Sequence, residues 1–146
     1  MPKTLMEWFV PDRIIYAQDR TQELDEMTAA VDLAVQMMEQ SSAATVHHLI
    51  DQRYQPTAAE NIDLNLASRN LRRFLTHPKT GWVLTCYGSS MFLQYANWVL
   101  AHENQVLSRH FDSAREALDF LMSVDDSLGN MPDVEAFMQD FDQRHR

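Results

Sequence analysis

The amino-acid sequence predicts an α/β fold: a mixed, mostly parallel five-stranded sheet with an N-terminal β-hairpin, four packing helices and an extra C-terminal helix. Short runs rich in β-branched and aromatic residues alternate with longer stretches whose apolar residues recur at helical spacing. The order is two strands and a helix, three further strand–helix pairs, and the last helix. Strands that alternate with helices imply right-handed crossovers and parallel pairing, and only the first hairpin adds an antiparallel strand.

The hairpin is predicted at residues 5–10 and 13–18. Pro11 and Asp12 lie between these runs and are typical turn residues. Pro11 suits the turn because it cannot donate a hydrogen bond to a strand ladder. We expect packed positions in both strands, at Trp8, Val10, Ile14 and Tyr16.

The next helix and strand are predicted at residues 24–40 and 45–50. The helix has Asp25 and Glu26 near its start, where negative charge suits the helix dipole. Its apolar stripe consists of Leu24, Met27, Val31, Ala34, Val35 and Met38. In the strand, the apolar residues do not alternate cleanly, which is typical of a strand covered on both faces.

A second helix is predicted at residues 63–77, where Pro78 ends it. Its stripe consists of Leu64, Ala67, Leu71, Phe74 and Leu75. A strand at 82–87 follows, and the turn at Gly88, Ser89 and Ser90 can cap the next helix. That helix, at 91–102, is apolar nearly all round, so we expect it to be heavily buried.

The last predicted strand covers residues 105–108, and Ser113 and Glu116 have the spacing of a capping box that opens a helix. We expect four residues of this helix to point inward: Ala117, Leu118, Leu121 and Met122. Residues 123–130 are polar and are interpreted as a linker. The predicted domain is therefore 1–125, and 126–146 is a linker, an amphipathic helix and a tail.

The C-terminal helix begins near Pro132. Its apolar stripe consists of Val134, Phe137, Met138 and Phe141. Packing of this stripe on its own domain and packing across a homodimer are both open at this point.

Composition restricts the function classes. The net charge of −9 disfavours nucleic acid as a partner. The single cysteine, Cys86, gives no sign of an oxidising compartment, and the N-terminus has no apolar run of signal-peptide length, so we expect a cytoplasmic protein. Residues 81–101 carry no charge, but their Thr, Gly, Ser, Gln and Asn residues favour a strand, a turn and a helix over a membrane span.

The strand at residues 45–50 ends in polar residues, at the rim of the predicted sheet where ligands and partners usually dock. We therefore predict a docking rim formed by Asp51, Gln52, Arg53 and Tyr54. The conservative interpretation of Asp51 is that it accepts backbone hydrogen bonds within its own loop.

Other polar residues carry weaker signals. His47 and His48 are adjacent on a strand and should point to opposite faces, so they cannot easily bind one metal ion together. Cys86 lies in a strand and has no recognisable base partner. We predict no catalytic residue, no metal site and no cofactor.

One basic cluster stands out in this acidic chain: Arg69, Arg72, Arg73 and Lys79. The three arginines lie opposite the apolar stripe of the second helix. They form either a solvated helix face or a contact for an anion or an acidic partner.

The order and lengths of the elements resemble the STAS fold, and more narrowly the SpoIIAA-like, STAS/SEC14-type family of small bacterial proteins. The likeness covers about residues 4–124 and is carried by Glu-Trp-Phe-Val-Pro-Asp-Arg-Ile-Ile-Tyr (7–16), the strand ending Leu-Ile-Asp (49–51), Phe-Leu-Thr-His-Pro-Lys-Thr-Gly-Trp-Val (74–83) and Phe-Asp-Ser-Ala-Arg-Glu-Ala-Leu-Asp-Phe-Leu (111–121). In anti-sigma-factor antagonists a serine that is phosphorylated follows the aspartate at the end of this strand. Here Gln52 follows Asp51, so the phosphorylatable residue is missing.

The resemblance implies a non-enzymatic, regulatory protein-interaction module. The alternative is a carrier or sensor of a small apolar, lipid-like ligand held between sheet and helices, and the nine methionines would suit a flexible pocket. An enzymatic function would require two or more of five side chains to converge in a cleft: His47, His48, Asp51, Cys86 and His110.

Overall fold

The structure is a computed structural model, and it describes residues 5–20, 24–54, 64–88 and 91–145; side chains at 24, 64, 67 and 91–96 are not part of the description. The strands are β1 (Leu5–Val10), β2 (Ile14–Gln18), β3 (Val46–Asp51), β4 (Thr80–Cys86) and β5 (Ser108–Phe111). The helices are α1 (Leu24–Gln40), α2 (Leu64–Leu75), α3 (Met91–Glu103), α4 (Ala114–Val124) and α5 (Val134–Arg144), with a 3-10 helix at Asp126–Leu128. No helix within these ranges is long and apolar enough to cross a bilayer.

The five strands form one sheet in the order β1-β2-β3-β4-β5. The hairpin pair β1 and β2 is antiparallel, and β2 to β5 are parallel. Asp12 in the hairpin turn has a φ of 66°, a left-handed conformation that Asp tolerates. The predicted α/β class, the mixed sheet and the N-terminal hairpin are confirmed.

The two faces of the sheet are covered by different helices. On the first face, side chains of α1, α2 and α3 pack with Ile15, Val46 and Val83. On the second face, side chains of α4 and α5 pack with Tyr16 and Leu49. Because each parallel strand lies beside the next one in sequence, connections of the usual hand put all three connecting helices on one face. The second face is therefore left for the last two helices.

The helix α5 packs against its own sheet. Val134, Met138 and Phe141 are buried in the same cluster as strand residues of the second face. The ring of Phe137 makes edge-to-face contacts with Phe9 and Tyr16 at centroid distances of 5.1 and 5.3 Å. Of the two alternatives for the C-terminal stripe, the structure supports packing within the chain.

Two boundary predictions are wrong. The last strand covers Ser108–Phe111 and not residues 105–108, because Gln105 has a φ of 57° and the Val106 N–H donates to the Ala101 carbonyl at the end of α3. Residues 123–130 are not a simple linker. They contain the 3-10 helix Asp126–Leu128, and Leu128 is buried in the core of the second face.

Two burial predictions also fail. Met122 is exposed, because the buried stripe of α4 consists of Ala114, Ala117, Leu118 and Leu121 and Met122 lies beyond its edge. In the described part of α3, Trp98 is 61% exposed and stacks on His102. An apolar composition therefore does not bury this helix on all sides. The capping interaction at Ser113 is confirmed, since its side chain accepts the Glu116 N–H.

Candidate functional site

The candidate site lies where β2, β3 and β4 end. In the sheet register, Gln18 is paired with Asp51 and Asp51 with Cys86, so the ends of the three strands meet at one edge. Asp51 is fully buried and points to the second face. This edge corresponds to the rim that the sequence predicts.

Asp51 binds side chains of its own chain. The Tyr16 hydroxyl donates to Oδ2 at 2.5 Å. The Arg53 Nε lies 3.1 and 2.9 Å from the two carboxylate oxygens, its Nη2 lies 2.8 Å from Oδ2, and its backbone N–H donates to Oδ1. Asp51 therefore closes its own loop, in line with the conservative interpretation, and it also fixes the Arg53 guanidinium.

Burial raises the pKa of Tyr16, and the charge of Asp51 raises it further, so this phenol stays protonated as a donor. Burial acts to lower the pKa of Arg53, but the hydrogen bonds and charge of Asp51 outweigh it and the net shift is upward. The guanidinium is therefore held in its charged form. A bidentate contact of this kind is strong, and it also fixes the orientation of the guanidinium.

The four predicted rim residues divide into two pairs. Asp51 and Gln52 are buried, and Gln52 exchanges hydrogen bonds with the Asn97 amide on α3 at 3.0 and 3.3 Å. The other two reach solvent: 28% of the Arg53 side chain is exposed, and Tyr54 is 43% exposed. Of these four residues, only Arg53 and Tyr54 can therefore be contacted directly by a partner in this conformation.

Residues that sequence reasoning missed complete the rim. The Gln18 Nε2 donates to Asp142 Oδ1 of α5 at 2.5 Å, and the Arg53 Nη2 lies 3.1 Å from Asp142 Oδ2. The Arg20 guanidinium lies over the Tyr54 ring at 4.7 Å, and that of Arg53 lies over the same ring at 4.9 Å. No local signal marks Asp142, because its role depends on how α5 docks.

A cleft of about 330 Å³ opens beside these residues. It is lined by Arg53 of the rim, by Tyr87 directly after β4, and by the face of α5 that carries Glu135, Met138 and Asp142. The cleft thus combines an aromatic ring, a thioether and charged groups, and it gives room for a side chain that approaches Arg53.

At the opposite end of the sheet, both ring nitrogens of His47 are engaged. The Trp82 N–H donates to Nδ1 at 3.0 Å, so the ring proton lies on Nε2, which is 2.8 Å from Asp125 Oδ2. Hydrogen bonds from Ser127 and His47 lower the pKa of Asp125 to about 2. With both nitrogens occupied, His47 is not available as a general base.

His48 lies on the first face, so the prediction that the two histidines point to opposite faces is confirmed. Its ring packs edge-to-face on Phe74 at 4.6 Å, and its Nε2 has no hydrogen-bond partner among the described residues. Burial lowers the pKa of His48 to about 3, and repulsion from His47 and His77 in their protonated forms adds to this shift. The imidazole is therefore neutral at ordinary pH.

The remaining candidates do not converge in a cleft. Asp51 and Cys86 are neighbours across β3 and β4, but both are fully buried, and burial raises the pKa of the Cys86 thiol. His110 Nδ1 lies 2.7 Å from Thr85 Oγ1. Within the described part of the chain, no three His, Cys, Asp or Glu side chains are grouped for a metal ion. Ser89 and Ser90 lie outside the described residues.

The basic cluster is partly neutralised. Arg73 pairs with Asp32 of α1 at 2.5 Å, and the Lys79 Nζ donates to the Ser41 carbonyl at 2.6 Å. Arg69 and Arg72 are exposed on α2. Among the described residues of this cluster, Arg69 and Arg72 therefore remain the candidate contacts for an anion or an acidic partner.

Comparisons with protein-family models, with curated proteins and with solved structures found no match for this chain. A functional assignment therefore has to be argued from the fold and from the geometry of the rim.

Proposed function

We propose that this chain is a non-enzymatic, cytoplasmic, STAS-like protein-interaction module of the SpoIIAA-like type, with a regulatory role. Its docking surface is the rim at Arg53 and Tyr54. One observation carries the proposal: two exposed side chains of types common in interface hot spots are held in place by the buried Asp51 carboxylate and by stacking with Arg20.

Fixed side chains favour association because less conformational freedom is lost on binding. Asp51 immobilises the Arg53 guanidinium before any partner arrives, and the Tyr54 ring lies against two guanidinium groups. Regulation by phosphate at the family position is not part of the proposal, because position 52 is a glutamine bonded to Asn97.

A capture experiment tests this function. The tagged chain is compared with Tyr54→Ala, which removes the exposed ring and leaves the Asp51–Arg53 pair intact. For a partner that the native chain retains from cell extract, we expect about tenfold weaker binding, the usual loss for a moderate hot spot.

Met122→Ala is the control, because Met122 is exposed in the last turn of α4, which leads to Asp125 beside Arg13 at the start of β2, away from the rim. It should bind like the native chain. Equal binding by all three proteins would remove the rim from the docking surface, and equal losses in both variants would assign binding to a wider surface.

A carrier of a small apolar ligand is the second candidate. It is favoured by His48, whose Nε2 lies without a described partner in the apolar layer between the sheet and α2, where a polar atom of a ligand could bind it. Native mass spectrometry of freshly purified protein tests this function: a bound lipid-like mass would support it, and the bare chain mass would contradict it.

A further inference from the structure

We infer that the rim contains a carboxylate-binding site, which Asp142 of the same chain occupies and which an Asp or Glu side chain of a protein partner can take over. This inference rests on the proposed docking function and specifies the partner chemistry. The observation behind it is that donors from two separate parts of the chain converge on the Asp142 carboxylate.

The donors come from the end of β2 and from the loop after β3. The Gln18 Nε2 donates to Oδ1 at 2.5 Å, and the Arg53 Nη2 lies 3.2 Å from Oδ1 and 3.1 Å from Oδ2. A neutral amide and a guanidinium match the acceptor-only character of an ionised carboxylate.

Each of the two donors is oriented by contacts that do not involve Asp142. The Arg20 Nε and Nη2 donate to the Gln18 Oε1 at 2.9 and 2.6 Å, and the Gln18 Nε2 also donates to the Tyr16 hydroxyl. These contacts fix the amide so that its NH₂ group faces Asp142. The buried Asp51 fixes Arg53 in the same way. The site should therefore keep its shape when the Asp142 carboxylate is removed.

Asp142 itself can be exchanged. Its side chain is 26% exposed and lies in the last turn of α5, whereas Val134, Met138 and Phe141 anchor the helix in the core. A change of the Asp142 rotamer would vacate the site without moving these anchors. Ion pairs near the surface contribute little to stability. Breaking the Arg53–Asp142 pair would therefore cost an incoming partner little of its binding free energy.

The surroundings accept a second acidic group. The Glu135 carboxylate, which also lines the cleft, is bound by Arg115 at 2.5 Å through Nη2, so its charge is compensated. Tyr87 and Met138 provide apolar contact in the same cleft of about 330 Å³. An acidic side chain flanked by apolar residues fits this combination.

The test uses acetate as the probe and the full chain carrying Asp142→Ala. The signal followed by NMR is the Arg53 Nε–Hε resonance, with sodium chloride at matched ionic strength as the reference. We expect a saturable shift with acetate and none with acetamide. In the native chain the tethered Asp142 has an effective concentration in the millimolar range, so acetate should act only at much higher concentration.

Asp140→Ala is the matched control, because Asp140 lies on the same helix and pairs with Arg144. It should not create a response to acetate. The same titration with a short acetylated, amidated peptide containing one Glu should give about tenfold tighter binding to Asp142→Ala than its Gln counterpart, since hydrogen bonds to a charged group are the stronger ones.

Equal binding of the Glu and Gln peptides, or no shift with acetate in folded Asp142→Ala, would overturn the inference. If Asp142→Ala proves unfolded, Asp142→Asn replaces it, and a shift of its Arg53 resonance with acetate carries the same meaning. The capture experiment with Tyr54→Ala separates this inference from the proposed function. If the rim docks a partner without using a carboxylate, Tyr54→Ala still weakens capture, but acetate and the Glu peptide show no specific binding.

Discussion

At the scale of single residues, the rim depends on a buried charge. Asp51 has no exposed surface, and it is stabilised by the Tyr16 hydroxyl and the Arg53 guanidinium. A buried carboxylate without such partners would be strongly unfavourable. The residue predicted as a docking contact is thus the support for the two residues that can make contacts, Arg53 and Tyr54.

The substitution Asp51→Asn should therefore lower the free energy of unfolding. It removes the charge opposite Arg53 and places amide hydrogens near the donors of Arg53 and Tyr16. We expect a loss of about 3 kcal/mol, the lower end for breaking a buried pair, because 28% of the Arg53 side chain is exposed. Urea unfolding measures this loss.

Asp32→Asn is the comparison, since its ion pair with Arg73 is exposed on both sides. Its loss should stay below about 1 kcal/mol. Similar losses for the two variants would mean that burial of Asp51 adds nothing to its pairing with Arg53.

At residue scale, the sequence could locate Asp51 to Tyr54 but not their partners. A strand that ends in polar residues is visible in a local pattern. The contact between Arg53 and Asp142 joins positions 89 residues apart, and that between Tyr16 and Asp51 joins positions 35 residues apart. Such contacts depend on strand register and on the docking of α5, which no local pattern specifies.

At the scale of elements, the sequence predicts a long helix with a strong apolar periodicity correctly, and it places short polar segments poorly. The predicted limits of α1 agree with the structure at Leu24–Gln40. A long apolar stripe repeats at helical spacing many times, and each repeat supports the same helix. β5 was misplaced, because four residues carry little pattern and the chain between α3 and β5 is shaped by backbone hydrogen bonds.

The β3–β4 pair contains an irregularity that the sequence did not indicate. Only His47 lies between the paired residues Val46 and His48, whereas two residues lie between their partners Thr80 and Val83, so β4 carries an extra residue there. The Trp82 N–H donates to His47 Nδ1 at this point. A Cβ added at Gly81 would lie 2.6 Å from His47 Nδ1 and 2.6 Å from Thr45 Cγ2, so only glycine fits.

Gly81→Ala should therefore destabilise the chain by about 1–3 kcal/mol through overpacking, measured by urea unfolding. In a double-mutant cycle, the cost of Gly81→Ala should be smaller in a His47→Ala background, because one of the two clashing side chains is then removed. A cost that is the same in both backgrounds would show that His47 does not create the constraint.

At the scale of the whole molecule, the order of the strands determines which elements can form a binding site at the rim. The sequence predicts the site from the rule that ligands and partners dock at the rim of an open α/β sheet, where its strands end. Such sites usually lie where the strand order reverses, but the described strands follow the sequential order β1-β2-β3-β4-β5 and contain no reversal. The described site is instead formed where α5, on the second face, reaches the ends of β2 and β3 through Asp142.

The packing of α1, α2 and α3 on the first face places His48 in the apolar layer between the sheet and α2, and this makes global stability sensitive to acid. The pKa of His48 falls from 6.5 to about 3 in the folded chain, so below pH 6.5 the unfolded state binds a proton that the folded state does not. Stability therefore decreases as the pH falls from about 6.5 towards 3, by about 2 kcal/mol at pH 5. Carboxylates with lowered pKa values, such as Asp125, lose their contribution only at lower pH.

His48→Leu should remove this dependence, because an apolar side chain of similar size has no proton to exclude and no unpartnered Nε2. We expect its free energy of unfolding at pH 7.5 to equal or exceed that of the native chain, and to fall by about 2 kcal/mol less between pH 7.5 and pH 5. Urea unfolding at the two pH values measures both quantities. A smaller pH dependence of the free energy of unfolding should persist, because burial also lowers the pKa of His110. The exposed His102 provides the control, since His102→Gln should keep the full decrease in the free energy of unfolding between pH 7.5 and pH 5. The same decrease in His48→Leu as in the native chain would place the acid sensitivity elsewhere in the chain.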